Sequence, residues 1–142
     1  MFQITLTQMQ ALDAATAQRS RQRLLMVVSE HFAAELAALA ASVDWSDPVG
    51  TTVDEVLRRA EGLGLEDEAD IAVFAALLLC ARQLGTQDAE LLASLRSVLK
   101  FDDVNGPGKF FLIDDELREL APSRPHAATL LQRIEAVRKA MH

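Results

Sequence analysis

The chain has 142 residues, a formal net charge of −7, a hydrophobic content of one half, and little glycine or proline. This length suits one domain with a single core, and its many alanines and leucines favour an all-α fold. An acidic surface repels phosphate backbones, and the chain has no tyrosine for base stacking, so nucleic acid is excluded as the expected partner.

The first predicted helix covers about residues 7–41, with Thr7 as its N-cap. Its second half carries apolar residues at helical spacing, as in an amphipathic helix. A straight helix of this length would measure about 50 Å, longer than a compact domain of this size. The polar stretch between Gln18 and Arg23 is therefore where we expect the helix to bend, break or project, and the sequence leaves open whether the helix is continuous.

A central helical hairpin is predicted over about residues 52–85. Thr52 and Glu55 have the T-x-x-E spacing of a capping box, which marks a helix start. Gly62 and Gly64 are predicted to end that helix, one of them with left-handed backbone.

The second helix of the hairpin is predicted to begin in an acidic run and to end at Gly85. Negative side chains are favoured at a helix N-terminus, where the helix dipole is positive. The segment 71–81 is apolar almost all round, so this helix is predicted to be the most buried one.

The C-terminal part is predicted to form helices at about residues 86–100, 114–120 and 126–140, the first of them beginning at Thr86 or Asp88. The segment 101–113 contains Asn105 and a Gly-Pro-Gly sequence and is predicted to be a turn. The sequence thus predicts an all-α compact bundle of five or six helices in a single domain.

No pattern of catalytic, cofactor-binding or metal-ligating residues is present. The three histidines, His31, His126 and His142, are far apart in the sequence and form no H-x-x-x-H pair. The lone Cys80 lies in an apolar run and is predicted to be a small buried hydrophobic residue rather than a nucleophile. We therefore expect a protein without enzymatic activity, cofactor or metal; a small helical enzyme is the weakest alternative.

The sequence also predicts a cytoplasmic protein that does not bind a membrane. The N-terminus has neither the basic region nor the apolar region of a secretory signal. The longest apolar run, residues 71–81, is shorter than the roughly 20 residues that a membrane span requires.

Two groups of residues are candidates for binding a protein partner. The aromatic group is Trp45, Phe110 and Phe111, and the acidic group is Glu66, Asp67, Glu68 and Asp70. The rings could instead cap the ends of the helix bundle, and the carboxylates could serve only the helix start. The sequence leaves both interpretations open.

Three sequence patterns resemble those of small helical proteins encoded beside type VI secretion effectors and their adaptor chaperones. The first is T-x-x-Q-(M/L)-x-A-L, matched by residues 5–12, and the second is H-(F/L) after a charged residue, matched by residues 30–32. The third is R-A-x-x-(Y/L)-G-(I/L)-x-x-E-x-D-(I/V), matched by residues 59–71, with a later Leu-Gly at Leu84 and Gly85. The resemblance covers about residues 5–90.

The resemblance implies a non-enzymatic accessory protein that binds a secretion effector, an adaptor chaperone, or both. Its function would be that of a co-chaperone. The alternative is an immunity protein that inhibits a cognate toxin directly, because an acidic inhibitor suits a basic nuclease cleft. The sequence determines neither the partner nor the oligomeric state.

Overall fold

The protein is described by a computed structural model that covers residues 6–100 and 104–141, with side chains from residue 14 onward. The described residues form seven α-helices and no strand. The helices are α1 (Leu6–His31), α2 (Ala33–Ser42), α3 (Pro48–Gly62), α4 (Glu68–Gln87), α5 (Ala89–Leu99), α6 (Gly106–Leu120) and α7 (Pro125–Ala140). The all-α single domain is confirmed, and the predicted number of five or six helices is too low.

The extra helix arises because the predicted first helix is two helices. The break is at Phe32, where α1 and α2 meet with a bend of 92°. The sequence left open whether the helix bends, breaks or projects between Gln18 and Arg23; the structure shows that this stretch is helical throughout. Its polar residues instead bind other helices: Arg21 pairs with Asp54 of α3 at 2.8 Å. Thr7, the predicted N-cap, lies inside α1.

The hairpin α3–α4 forms as predicted, but α3 begins four residues early. Asp47 caps it by accepting a hydrogen bond from Gly50 N at 3.1 Å, and Pro48 supplies the backbone geometry of a first helical residue. The predicted capping box does not form, because Thr52 lies inside α3 rather than at its N-cap; Glu55 pairs instead with Arg58 and Arg59. The predicted end at Gly62 is confirmed.

After α3 the chain turns through Gly64, whose φ of 73° confirms the predicted left-handed glycine. The next helix, α4, does not stop at Gly85 but continues to Gln87. A side chain at Gly85 would contact Leu92 Cδ2 at 3.2 Å, so this glycine lets α5 approach closely. Asp88 then caps α5 by accepting a hydrogen bond from Leu91 N at 3.2 Å.

The sixth helix, α6, is longer than predicted because the Gly-Pro-Gly sequence is its first turn. Asn105 caps it by accepting a hydrogen bond from Gly108 N at 2.8 Å. Pro107 fits a first turn, where a backbone N–H has no helical acceptor. A Cβ on Gly106 would lie 2.3 Å from Leu63 O, so glycine allows α6 to start directly against the α3–α4 loop. Residues 101–103, also part of the predicted turn, lie outside the described residues.

The most buried helix is α4, as the sequence predicts. Nine of its side chains are buried, and it packs against α1, α2, α3, α5 and α7. By length and composition alone, α4 could cross a membrane: its mean hydropathy reaches 1.4 over 18 residues, of which 44% are buried in the fold. The bent pair α1–α2 meets the same criterion only when its two helices are taken as one span. A central core helix has this composition too.

Candidate protein-binding surface

Phe111 is the most exposed large apolar side chain among the described residues, with 71% of its surface accessible. It lies in the second turn of α6, the helix that starts against the α3–α4 loop at Leu63. The fold therefore places Phe111 at the same end of the molecule as the acidic start of α4. Asp115, four residues further on, is exposed on the same side of α6.

Carboxylates from α4 and α6 lie near each other, since the charge of Asp114, three residues after Phe111, acts on Asp70. Asp114 pairs with Arg138 of α7 at 2.6 Å. Burial raises the pKa of Asp70 above its ordinary value; repulsion by Asp67 and Asp114 adds to the rise, and attraction by Arg138 opposes it. We refer to Phe111, Asp67, Asp70, Asp114 and Asp115 as the acidic aromatic surface.

The other two acidic candidates differ from each other. Glu66 is exposed and has no hydrogen bond or ion pair within the described part of the chain. Glu68 holds α1 against α4: it accepts hydrogen bonds from Ser20 at 2.6 Å and from Arg23 at 2.7 Å. Between these two, Asp67 of the acidic aromatic surface caps α4 by accepting a hydrogen bond from Ala69 N at 2.8 Å. Glu68 therefore has a role in packing the two helices, and Glu66 is free to meet a partner.

The exposure predicted for Phe110 as a binding residue is not found. Only 1% of Phe110 is accessible, and its ring packs edge-on against Phe74 of α4 with 6.2 Å between ring centroids. Adjacent residues of a helix point about 100° apart, so Phe110 faces the core while Phe111 faces solvent. A partner of the folded protein can contact Phe111 but cannot reach the Phe110 ring.

Trp45 lies in the loop between α2 and α3, on a different surface. It is 44% exposed and lines a cavity of about 600 Å³ between α2, α3 and α4. It precedes α3, whereas the acidic start of α4 follows α3, and the 15 residues of α3 span about 22 Å. The fold thus separates Trp45 from the acidic aromatic surface.

Sequence reasoning missed a cluster around Arg133 of α7. Its guanidinium pairs with Glu35 of α2, donates to His31 O at 2.8 Å, and lies 4.6 Å from the centroid of the Phe32 ring. The pattern of α7 predicts a core face, and Arg133 lies one residue outside it, so no local signal identifies the cluster. These contacts hold the bend between α1 and α2.

The chemistry of the lone cysteine fits a core position. Cys80 is 8% exposed, and burial raises the pKa of its thiol, while attraction by Arg133 opposes this rise. A raised pKa leaves less of the nucleophilic thiolate at neutral pH. No group of three or more His, Cys, Asp or Glu residues that could hold a metal ion is found among the described residues.

Comparison with known proteins gives no relative: no protein-family model, no curated protein and no solved structure matches this chain. The resemblance to accessory proteins of type VI secretion therefore stays a prediction from the sequence patterns.

Proposed function

We propose that this chain is a non-enzymatic accessory protein of the cytoplasm that binds a protein partner through the acidic aromatic surface. The observation that carries the proposal is the exposed ring of Phe111 on α6, the helix whose Asp114 lies near the acidic start of α4. Exposing an aromatic ring to water is unfavourable, and aromatic side chains are frequent anchors of protein interfaces. The surrounding negative charge favours a basic partner and speeds the encounter with it.

The partner proposed is a type VI secretion effector or its adaptor chaperone, which makes the protein a co-chaperone. The resemblance of residues 5–90 to accessory proteins of such effectors supports this partner. The interior gives further support to a binding role, because every buried side chain among the described residues is apolar. Recognition then falls to the outer surface.

A pull-down tests the proposal with the chain expressed together with the products of its neighbouring genes. The Phe111→Ser variant should recover the partner at a level lower by a factor of at least about ten, the size of effect expected for an interface anchor. Met26→Ser is the matched control, because Met26 is 56% exposed and lies on α1. Equal retention by both variants, or recovery of the chain alone at monomer size, would contradict the proposal.

A Trp45→Ser variant tests where the interface lies. Loss of the partner with Trp45→Ser and full retention with Phe111→Ser would place the interface at the α2–α3 loop and overturn the assignment to the acidic aromatic surface.

An immunity protein is the second candidate, favoured by the carboxylates of the acidic aromatic surface. Such a surface is complementary to the basic cleft of a nuclease toxin. Co-expression with the effector separates the two roles: an immunity protein abolishes toxicity, whereas a co-chaperone preserves or raises the level of effector. Toxicity abolished at an unchanged effector level would favour immunity over the co-chaperone role.

A further inference from the structure

An apolar groove of about 590 Å³ runs along α4 between α3 and α5. Buried side chains of α4 form its floor, and half-buried leucines form its walls. The floor includes Phe74, Leu77 and Leu84, and the walls include Leu63, Leu92 and Leu99. The groove therefore offers a continuous apolar surface without the cover of another helix in the described part of the chain.

Three basic side chains, Arg59, Arg96 and Lys100, stand along the groove. No carboxylate lines it among the described residues. Arg59 pairs with Glu55 at 2.8 Å, whereas Arg96 and Lys100 have no ion pair within the described ranges. In a chain with a net charge of −7, the unpaired Arg96 and Lys100 make this groove complementary to a negative ligand group.

The positive charges are displaced toward one end of the groove. Leu92 marks the other end, since its Cδ2 lies 3.2 Å from the Cβ position of Gly85 near the end of α4. Arg96 and Lys100 follow Leu92 by about one and two turns of α5. The groove thus has an apolar end and a basic end, as a ligand with a tail and an anionic head requires.

We propose that this groove binds a single-chain anionic amphiphile of the fatty-acid class. The tail lies on the α4 floor between Phe74 and Leu84, a distance of about 15 Å along the helix, and the carboxylate lies between Arg96 and Lys100. The volume falls in the range of small-molecule sites. Each buried methylene of the tail adds hydrophobic stabilisation, and the charge pairs fix the orientation. None of the groove residues belongs to the acidic aromatic surface, so the two proposals stand independently.

Calorimetric titration of the full chain with laurate below its micelle concentration tests the proposal. The expected result is saturable binding at one ligand per chain. Dodecanol and dodecyltrimethylammonium, which have the same tail without the negative charge, should bind at least about tenfold more weakly, as expected for loss of a charged hydrogen bond.

Charge reversal locates the site. Arg96→Glu with Lys100→Glu should weaken laurate binding at least about tenfold. Arg19→Glu with Lys139→Glu is the matched control, since both residues are exposed, lie outside the groove and give the same change in net charge. All four positions are on the surface, so urea unfolding should show that both variants fold.

Several outcomes would overturn the proposal. One is the absence of saturable laurate binding by the folded chain. Another is equal affinity for laurate and dodecanol, with no response to charge reversal, which would leave only unspecific apolar contact. Binding of phosphatidylglycerol vesicles, or of an amphipathic peptide flanked by glutamates, without binding of laurate would assign the groove to a different occupant.

Discussion

Arg133 supports the bend between α1 and α2 through three different contacts. At Phe32 the helical hydrogen-bonding pattern ends, and the His31 carbonyl needs a donor from outside the helix. Arg133 supplies it at 2.8 Å, while its guanidinium also faces the Phe32 ring and pairs with Glu35. Only 12% of the Glu35 side chain is exposed. A buried carboxylate is unfavourable without a positive partner, which Arg133 provides.

Replacing Arg133 by Met should lower the free energy of unfolding by about 2–4 kcal/mol, because it leaves a half-buried carboxylate and a carbonyl without their donor. Urea unfolding measures the change. Arg58→Met is the control: Arg58 is 73% exposed in its pair with Glu55, so its loss should leave the free energy of unfolding nearly unchanged. Equal stability of the Arg133→Met variant and the parent would show that the cluster does not hold the bend.

The same pair makes stability depend on pH. The hydrogen bond from Arg133 lowers the pKa of Glu35 below its ordinary value of 4.5, against the effect of burial. A carboxylate whose pKa is lower in the folded state stabilises the fold above the unfolded pKa, and this stabilisation is lost as pH falls through the folded pKa.

Glu35→Gln should therefore be less stable than the parent at neutral pH, and the difference should shrink below about pH 4.5. Urea unfolding at several pH values measures it. In the Arg133→Met background the pH dependence should reverse in sign, because burial, which raises the pKa of Glu35, is then the largest remaining cause. A difference that stays constant with pH in both backgrounds would refute the assigned cause.

At the scale of elements, two boundaries depend on close contact between segments. One is the start of α6 against the α3–α4 loop, where the close contact at Gly106 leaves no room for a side chain.

Gly106→Ala should lower the free energy of unfolding by about 1–3 kcal/mol, because the added Cβ would lie 2.3 Å from Leu63 O. Gly62→Ala is the matched control in α3: nothing lies within 4 Å of its Cβ, and the change should be neutral or stabilise by about 0.5 kcal/mol. Thermal unfolding of the two variants measures the difference. Equal stability of Gly106→Ala and Gly62→Ala would mean that α6 does not start at this contact.

The other boundary is the bend at Phe32, which proline substitution can locate. Gln22→Pro should cost about 3 kcal/mol or more, since it falls in the middle of α1. Ala33→Pro should cost less than Gln22→Pro, since Ala33 is the first residue of α2, where proline is tolerated. Some cost remains, because Phe32 has ψ 31° rather than the extended backbone that precedes proline. Both residues are exposed, so burial does not separate them. Urea unfolding compares the two, and a larger loss at Ala33 than at Gln22 would place the bend in the polar stretch instead.

At the scale of the whole molecule, burial is distributed unevenly. Residues 72–77 of α4 are all buried, at the centre of the bundle. Residues 14–19 of α1 are all exposed, whereas the later Leu24, Val27 and Val28 join the core. The second half of α1 is therefore part of the bundle, and residues 14–19 add little burial to it.

Amide hydrogen exchange should reflect this difference. The amides of residues 72–77 should exchange only through global unfolding, with an opening free energy in the usual range of about 5–15 kcal/mol. Those of residues 14–19 should open locally and exchange far faster, while Val27 and Val28 in the same helix serve as the internal control. Equal protection of residues 14–19 and of α4 would contradict this distribution of stability.

The sequence alone determined the all-α class, the α3–α4 hairpin and the burial of α4, because these follow from apolar periodicity and composition within each segment. It also located the end of α3 at Gly62, where the signal is local, and left the start of α5 between Thr86 and Asp88, of which Asp88 is the cap.

Only the tertiary structure decided the remaining features, because they depend on residues far apart in the chain. The bend at Phe32 requires Arg133, about a hundred residues later, and the polar stretch that the sequence marks as a break is instead held straight by partners on α3 and α4. Phe110 is buried and Phe111 is exposed because Phe110 lies on the side of α6 that faces Phe74 of α4. The sequence places Arg96 and Lys100 about one helical turn apart, but only the packing of α3 and α5 on α4 brings them to the border of an apolar groove.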